Sequence, residues 1–286
     1  MNIASVAIPV YNCEKTIKKS LASVLNQSFS DIEILIWDDG CTDQTIKIIK
    51  SFSDRRIKLY QEGKNKGVAY GLNRLIEQAS GEYFVRMDGD DIMFPDRLEK
   101  QIRFLKEHPE VDVVGAPAIV IDESDHIIGI RGETQKEWTR DDLFCSSRFV
   151  HPTVTGRTEF FRRWKYDETL SGCEDMDLWI RGYGSSVYAD YDEPLLFYRE
   201  YLKMRLNTYL YRQRLLLEYA WRNRNKMERS KLFPQLMVKS VVSSIAAIVA
   251  HLCRCDEKLI RQRNRRLTQV EFEKYSSILG DIEMRH

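Results

Sequence analysis

Three aspartates, Asp88, Asp90 and Asp91, fall within four positions of the stretch VRMDGDDIMFPDRL. The apolar run EYFV precedes them and a proline-led helix pattern follows. Left unpaired, carboxylates so close repel one another and are costly to desolvate. A cation is the partner that relieves both penalties. Acidic residues recur in comparable places. Asp38 and Asp39 close the apolar run ILIW, and Glu174, Asp175 and Asp177 lie just ahead of or within the first turn of a short helix in SGCEDMDLWIRGYG.

The elements that must position these groups alternate along the chain. IASVAIPVY reads as a strand, and EKTIKKSLASVLNQ carries the helical stripe Ile17, Leu21, Val24 and Leu25. IEILIWDD is a strand ending in acid, CTDQTIKIIKSF a helix opened by Thr42 or Asp43, and RIKLY a short strand. GVAYGLNRLIEQA is a helix, EYFVRMD a strand, PDRLEKQIRFLKEHPE a helix with Pro95 near its first turn, and VDVVGAPAIVI one further strand. Apolar strands alternating with helices predict an α/β fold with a mainly parallel sheet covered on both faces. Ligands of such sheets sit beyond the carboxyl ends of the strands. Tyr11–Asn12, Asp38–Asp39 and Asp88 to Asp91 all fall there, which points to one crevice. SVYADYDEPLLFYRE supplies two more strands, and from Leu202 onward only helices are expected.

Composition bounds the rest. With 286 residues, 43% hydrophobic and 30% charged, the chain has enough apolar mass for a sizeable core. The net charge of +1 conceals two unlike parts. Residues 202 to 286 hold 18 Lys and Arg against 8 Asp and Glu, a net +10, whereas the first 201 hold 26 against 35, a net −9. The opening MNIASVAIPV lacks a basic leader and reads as a strand, so a cytoplasmic location is expected, with a peripheral position on the inner membrane as its variant. Six cysteines show no framework spacing and are expected to be reduced thiols. In MVKSVVSSIAAIVAHLC the uninterrupted apolar or small part, Ser240 to Leu252, is 13 residues long. A membrane span needs about 20, so a buried or interfacial helix is expected.

Taken in order, SVAIPVYNCEKTI, ILIWDDGCTD, NKGVAYGLN, GEYFVRMDGDD and GCEDMDLWIR resemble the inverting family 2 glycosyltransferases of the GT-A fold found in bacterial surface-polysaccharide synthesis. The resemblance covers residues 3 to about 200. It implies a GT-A catalytic domain over 1–201, with its nucleotide-sugar part at about 1–115 and its acceptor part at about 116–201, followed by a basic helical extension over 202–286. The implied reaction moves a hexose or N-acetylhexosamine from a UDP-sugar to a glycan or lipid-linked glycan, giving a β-linked product, in O-antigen, capsule or lipooligosaccharide synthesis. The implied cofactor is Mn²⁺ or Mg²⁺, since both prefer carboxylate oxygens and keep positions open for phosphate.

The same resemblance distributes roles. Asp90, with Asp91, would hold the metal, and Asp88 would face the ribose or sugar. Asp39 would accept from uracil N3–H, Tyr11 would stack on the uracil, Pro9 would shape the wall, and backbone donors at Asn65 and Gly67 would face the nucleotide. Asp175 would take the acceptor proton, with Glu174 orienting it or binding acceptor hydroxyls. Plainer alternatives stand beside these: an acidic turn with Asp91 as helix cap, an Asx turn at Asp38, a core tyrosine at Tyr11, and helix-terminus charges at Glu174, Asp175 and Asp177. Arg157, His151 and Trp179 lie in the acceptor region without an assigned role.

Two departures from the family pattern stand out. Leu72, next to Asn73, replaces a frequent arginine, and Tyr201 in YREY replaces a frequent histidine. A QxxRW motif is lacking, which argues against a processive synthase. The competing classes are a sugar-phosphate nucleotidyltransferase, for which IPVYNCEKT makes a poor triphosphate loop, and a non-catalytic nucleotide-sugar binding protein. For the basic extension the readings are an anionic membrane surface or a helical cap that stabilises the fold or a homodimer; nucleic acid is not an expected partner.

Overall fold

A computed structural model describes residues 3–132 and 138–284. The first half alternates as expected: β1 (Ala4–Val10), α1 (Ile17–Leu25), β2 (Ile32–Asp38), α2 (Thr45–Lys50), β3 (Ile57–Gln61), α3 (Val68–Gln78) and β4 (Tyr83–Arg86). Next come β5 (Ile92–Met93), α4 (Arg97–Glu107), β6 (Val113–Gly115), β7 (Ala118–Ile121), β8 (Ile127–Arg131) and α5 (Arg140–Cys145). The strand-containing part closes with β9 (Thr155–Arg157), α6 (Thr158–Trp164), α7 (Glu174–Gly182), β10 (Tyr188–Asp190) and β11 (Leu196–Arg199). Four α-helices remain among the described residues: α8 (Leu206–Arg222), α9 (Leu232–Leu252), α10 (Asp256–Arg261) and α11 (Gln269–Met284).

Seven strands form the main sheet in the order β10-β6-β9-β4-β1-β2-β3. Its pairs are parallel except for the two made by β9, which runs against both β4 and β6. Every residue of β1 and β2 is buried, as continuous apolar strands between two helical layers should be. A second sheet, β5-β11-β7-β8, lies alongside. The run VDVVGAPAIVI, read as one strand, is two: β6 belongs to the main sheet and β7 to the small one. Pro117 marks the break, since it has no N–H for a ladder. The Ala116 N–H turns to Thr153 Oγ1 at 3.0 Å instead. Pro95 also sits differently from expectation, two residues ahead of α4, with its carbonyl accepting the Ser28 N–H at 2.9 Å.

The helical extension shares the core of the first 201 residues. Tyr219 and Leu232 pack into the cluster around Trp179 and Phe160. Tyr275, Leu279 and Ile282 of α11 pack on Ile119, Ile121 and Phe197 of the small sheet. The change at Leu202 is therefore a change of element type within one packed body.

Helix α9 is longer than its apolar segment suggested. It starts at Leu232, runs for 21 residues, and is long and apolar enough to cross a membrane by length and composition. The alternative of a buried helix fails, because most of its apolar side chains are exposed.

Candidate functional site

Strand β4 delivers the acidic loop to the carboxyl end of the main sheet. Asp88, Asp90 and Asp91 bring carboxylate oxygens within 4.8 Å of one another. Gly89 between them has no room for a side chain, since a Cβ there would lie 2.9 Å from Val10 Cγ1 and 3.1 Å from Cys13 Sγ. The loop after β1 thus packs directly on the acidic loop, and the Thr16 hydroxyl donates to the Gly89 carbonyl at 3.2 Å.

Three buried arginines back the cluster. Arg86 donates to Asp88 Oδ2 at 2.7 Å. Arg199 donates its backbone N–H to Asp91 Oδ1 at 2.8 Å and its Nε to the Asp90 carbonyl at 2.8 Å. Arg97, fully buried, donates to the Arg86 carbonyl at 2.9 Å and to Gln101 Oε1 at 3.0 Å. The compensation is incomplete. Among the described residues, buried Asp91 Oδ2, Arg86 Nε and Arg97 Nη1 find no hydrogen-bond partner. Burial, reinforced by Asp88, pushes the Asp90 carboxyl up to about 6. Burial, then the charges of Asp90 and Asp88, push Asp91 well above the usual carboxylate range. An all-oxygen donor set with an orphaned buried oxygen fits a hard divalent cation, whose charge would reverse these shifts.

Around the ends of β1 and β2 lies the second group. Pro9 is buried opposite Trp37, while Tyr11 is 52% exposed just past β1. Asp39 is 5% exposed, and its carboxylate accepts the N–H of Lys66 at 2.7 Å and of Gly67 at 3.0 Å. It thereby supplies the negative charge that the otherwise uncapped N-terminus of α3 favours. The Gly67 donor, expected to face the nucleotide, is spent on Asp39. Asn65 stands in the same loop, which presses on Gly40: a Cβ there would meet the Asn65 nitrogen at 2.9 Å, and the residue has φ +83°. Asp38 accepts from Gly40 N–H at 3.1 Å, Cys41 N–H at 2.7 Å and Gln61 Nε2 at 2.8 Å, the pattern of a turn-closing acid.

The third group opens α7. Asp175 is partly exposed, and its Oδ2 accepts from the Ser147 hydroxyl at 2.8 Å. Glu174 is buried and accepts the Gly172 N–H at 2.5 Å; burial, then Asp175, raises its carboxyl. Asp177 faces away, accepting from Tyr219 of α8 at 2.9 Å and from Arg181 Nε at 2.6 Å. Between the groups stands Tyr166, hydrogen-bonded to His151 Nε2 at 2.9 Å. Burial raises its hydroxyl, with Arg86, Asp175, Glu174 and Asp88 all close enough to act on it. Tyr166 thus feels charges of both the acidic loop and the α7 acids.

Several expected positions have structural duties. Trp179 is fully buried, stacked 6.2 Å from Phe160, and Arg157 donates to the Val111 and Leu105 carbonyls. Leu72 is core, and neighbouring Asn73 clamps Tyr166 by its N–H and carbonyl, each at 2.9 Å. Tyr201 is 54% exposed and near enough to Asp90 that this charge, after burial, raises its hydroxyl. Arg86, Arg97, Arg199 and Tyr166 escaped the sequence reading. A lone arginine in each of the apolar runs YFVR and LFYR was the available signal, since a charge buried in a strand needs a partner.

Known proteins resemble this chain in sequence and fold. The profile described as "Glycosyl transferase family 2" matches residues 5–169. A putative glycosyltransferase, EpsE of Bacillus subtilis, is 37% identical over 62% of this chain and 65% of its own length. The match thus spans just under two thirds of that relative. An uncharacterized glycosyltransferase of Methanocaldococcus jannaschii, MJ1057, is 28% identical over 84% of this chain and 87% of its own. Among solved structures, S. aureus TarS 1-349 in complex with UDP superposes with a TM-score of 0.59 at 25% identity, covering 76% of this chain and 64% of that one. The mannosyltransferase PcManGT of Pyrobaculum calidifontis, in complex with GDP-Man and Mn²⁺, has a TM-score of 0.59 at 17% identity over 99% and 85% of the two chains, a likeness of fold. With a GT-A sheet, an acidic loop at its carboxyl edge and a profile match across more than half its length, this chain belongs to glycosyl transferase family 2.

Proposed function

We propose that this chain transfers a hexose or N-acetylhexosamine from a UDP-sugar to a glycan or lipid-linked glycan acceptor, with inversion, in the synthesis of a bacterial O-antigen, capsule or lipooligosaccharide. The observation that carries the reading is the carboxylate trio, within 4.8 Å and with one buried oxygen left without a donor, in a family 2 chain that also carries the Glu174–Asp175 turn. Family membership sets aside the nucleotidyltransferase alternative. The structure of TarS 1-349 in complex with UDP-GlcNAc, at 24% identity and a TM-score of 0.60, is in keeping with a uridine donor.

In this reading Tyr11 stacks on the uracil and Asp39 accepts its N3–H through a lone pair left over from the Lys66 and Gly67 bonds. Pro9 and the Asn65 loop wall the pocket, and Asp88 takes a ribose or sugar hydroxyl. Asp90, with the free oxygen of Asp91, would hold Mn²⁺ or Mg²⁺. When bound, that cation neutralises the charge that develops on the diphosphate oxygens. Asp175, oriented by Ser147, accepts the proton of the acceptor hydroxyl as its oxygen bonds to the anomeric carbon. The bond from that carbon to the UDP oxygen breaks on the opposite face, and UDP leaves with the electron pair. Glu174 holds the turn through Gly172.

A panel of UDP-sugars with Mn²⁺, scored by UDP release with and without lipid-linked acceptors, tests this. One UDP-sugar should turn over, EDTA should stop it, and NMR should show a β-linked product from an α-linked donor. Turnover confined to GDP-sugars would defeat the donor assignment, and an α-linked product would defeat inversion.

A further inference from the structure

Helix α9 carries an apolar face onto which nothing among the described residues folds. Val238, Val241, Val242, Ile245, Val249 and Leu252 are each between 53% and 76% exposed. Their spacing puts them on one side of the helix, a stripe about 21 Å long at 1.5 Å per residue. Lys239 is the one Lys, Arg, Asp or Glu in the helix, and its Nζ turns aside to the Cys145 carbonyl at 2.9 Å. Contiguous exposed apolar surface of this extent marks an interaction site.

What covers the face follows from its surroundings. The opposite side of α9 is committed to protein: Leu232 and Ala247 are buried, Leu236 joins the main core, and Ser240 donates to Gln213 of α8 at 3.0 Å. A helix held along one side cannot be ringed by lipid, which opposes a spanning role. A second copy is opposed by charge, because residues 202 to 286 carry a net +10 and self-pairing would set that charge against itself. Anionic lipid is the complementary partner. Lys231 precedes the stripe and Arg254 follows it. Trp221, 53% exposed, packs on Phe233 with ring centroids 5.2 Å apart, and the Arg224 guanidinium lies 3.9 Å from the Trp221 ring. Aliphatic side chains flanked by exposed aromatic and basic groups match the boundary between headgroups and acyl chains.

We propose that α9 docks in the plane of an anionic bilayer surface with its aliphatic face sunk below the headgroups. The neighbouring helix α8 ties this surface to the candidate acceptor side. Tyr219 bonds Asp177, and Arg212 packs over Gly172, where a Cβ would lie 3.1 Å from Arg212 Cγ. Both contacts flank the turn of Glu174 and Asp175, so an acceptor carried by lipid would meet that turn from the membrane side. This last clause rests on the proposed transferase reading; the docking itself does not.

Flotation of the full-length protein with vesicles of phosphatidylcholine, with and without phosphatidylglycerol, provides the test. Binding should be stronger with phosphatidylglycerol, and high salt should weaken but not abolish it, since screening removes only the ionic part. The double variant Val241→Asp with Ile245→Asp should lose vesicle binding by about tenfold or more. Leu252→Asp alone should lose less. Both variants should keep the melting temperature and donor-only UDP release of the wild type. Wild-type protein that ignores both vesicles, or a double variant that floats as well as wild type, overturns the proposal. So does a dimer in sedimentation that the aspartates dissociate without vesicle binding, and so does resistance to alkaline carbonate extraction, which would indicate a spanning helix. Vesicle binding without any UDP release would instead sink the proposed transfer reaction alone.

Discussion

Two sets of buried acids stand at opposite ends of the main sheet, and they are treated in opposite ways. Glu33, 1% exposed near the start of β2, has both carboxylate oxygens engaged. Its carboxylate accepts from Ser5 Oγ at 2.6 Å, Ser80 N–H at 2.7 Å, Ser80 Oγ at 2.8 Å and Lys58 Nζ at 2.7 Å. Burial alone would raise its pKa, but Lys58, Ser5 and Ser80 outweigh it and hold the group at about 2. At the other end Asp91, fully buried, has one donor for two oxygens, and Asp90 is pushed up to about 6. The residue class and the depth are similar; the supply of donors differs. A structural acid is satisfied by its own fold, whereas the acidic loop is left short of hydrogen-bond donors at Asp91 and so keeps an oxygen to offer to a ligand.

That contrast can be broken at four points. The largest effect should come from Asp90→Asn, which should lower sugar transfer by about 10³-fold or more while leaving the melting temperature unchanged or higher, because it removes a repelling buried charge. A parallel loss of stability would mean that Asp90 serves the fold as Glu33 does. Asp175→Asn should reduce turnover by roughly 10²–10⁴-fold with UDP affinity, measured by calorimetry, almost unmoved. Collapse of UDP binding would place Asp175 on the wrong partner. Arg86→Met should destabilise by about 3–5 kcal/mol, since it strips a counter-charge from the acids. Mn²⁺ should restore more of the melting temperature to this variant than it adds to wild type; equal increments would show that Arg86 and the cation do not share a role.

The smallest effect, about 3 kcal/mol at neutral pH, belongs to Glu33→Gln. Because the folded pKa of Glu33 is depressed, its contribution is complete above the unfolded value near 4.5 and fades as pH falls from there toward 2. Melting curves of wild type and variant should therefore converge across that window. A gap that persists at pH 2 would show that the packing of Glu33, and not its charge, is what stabilises.

Much of this was legible in the residues. Continuous apolar strands alternating with amphipathic helices pointed to the parallel sheet, and acid at two strand ends, beside Tyr11–Asn12 at a third, pointed to its carboxyl edge. What escaped was whatever depends on contacts between distant residues. VDVVGAPAIVI has unbroken β-propensity, and only the demand for a ladder N–H at Pro117 divides it between two sheets. Arg97 sits 11 residues from Arg86 on another element, and Arg199 lies 109 residues from Asp90, so neither could be assigned to the acidic loop by spacing. The exposure of α9 was equally hidden, because a hydrophobic segment does not announce whether protein or something else will cover it.

The small sheet acquires its cover last. Ile119, Ile121 and Phe197 are sealed by Tyr275, Leu279 and Ile282, more than seventy positions beyond the final strand. At a synthesis rate of roughly 5–20 residues per second, those strands wait several seconds for their lid. Helix α9 is made during that wait. Its apolar face is on offer while the strands beneath α11 are still bare, so the newborn chain passes through a stage with two uncovered hydrophobic surfaces, one transient and one permanent. Early capture of the permanent one at a bilayer would shorten the time in which both can drive aggregation.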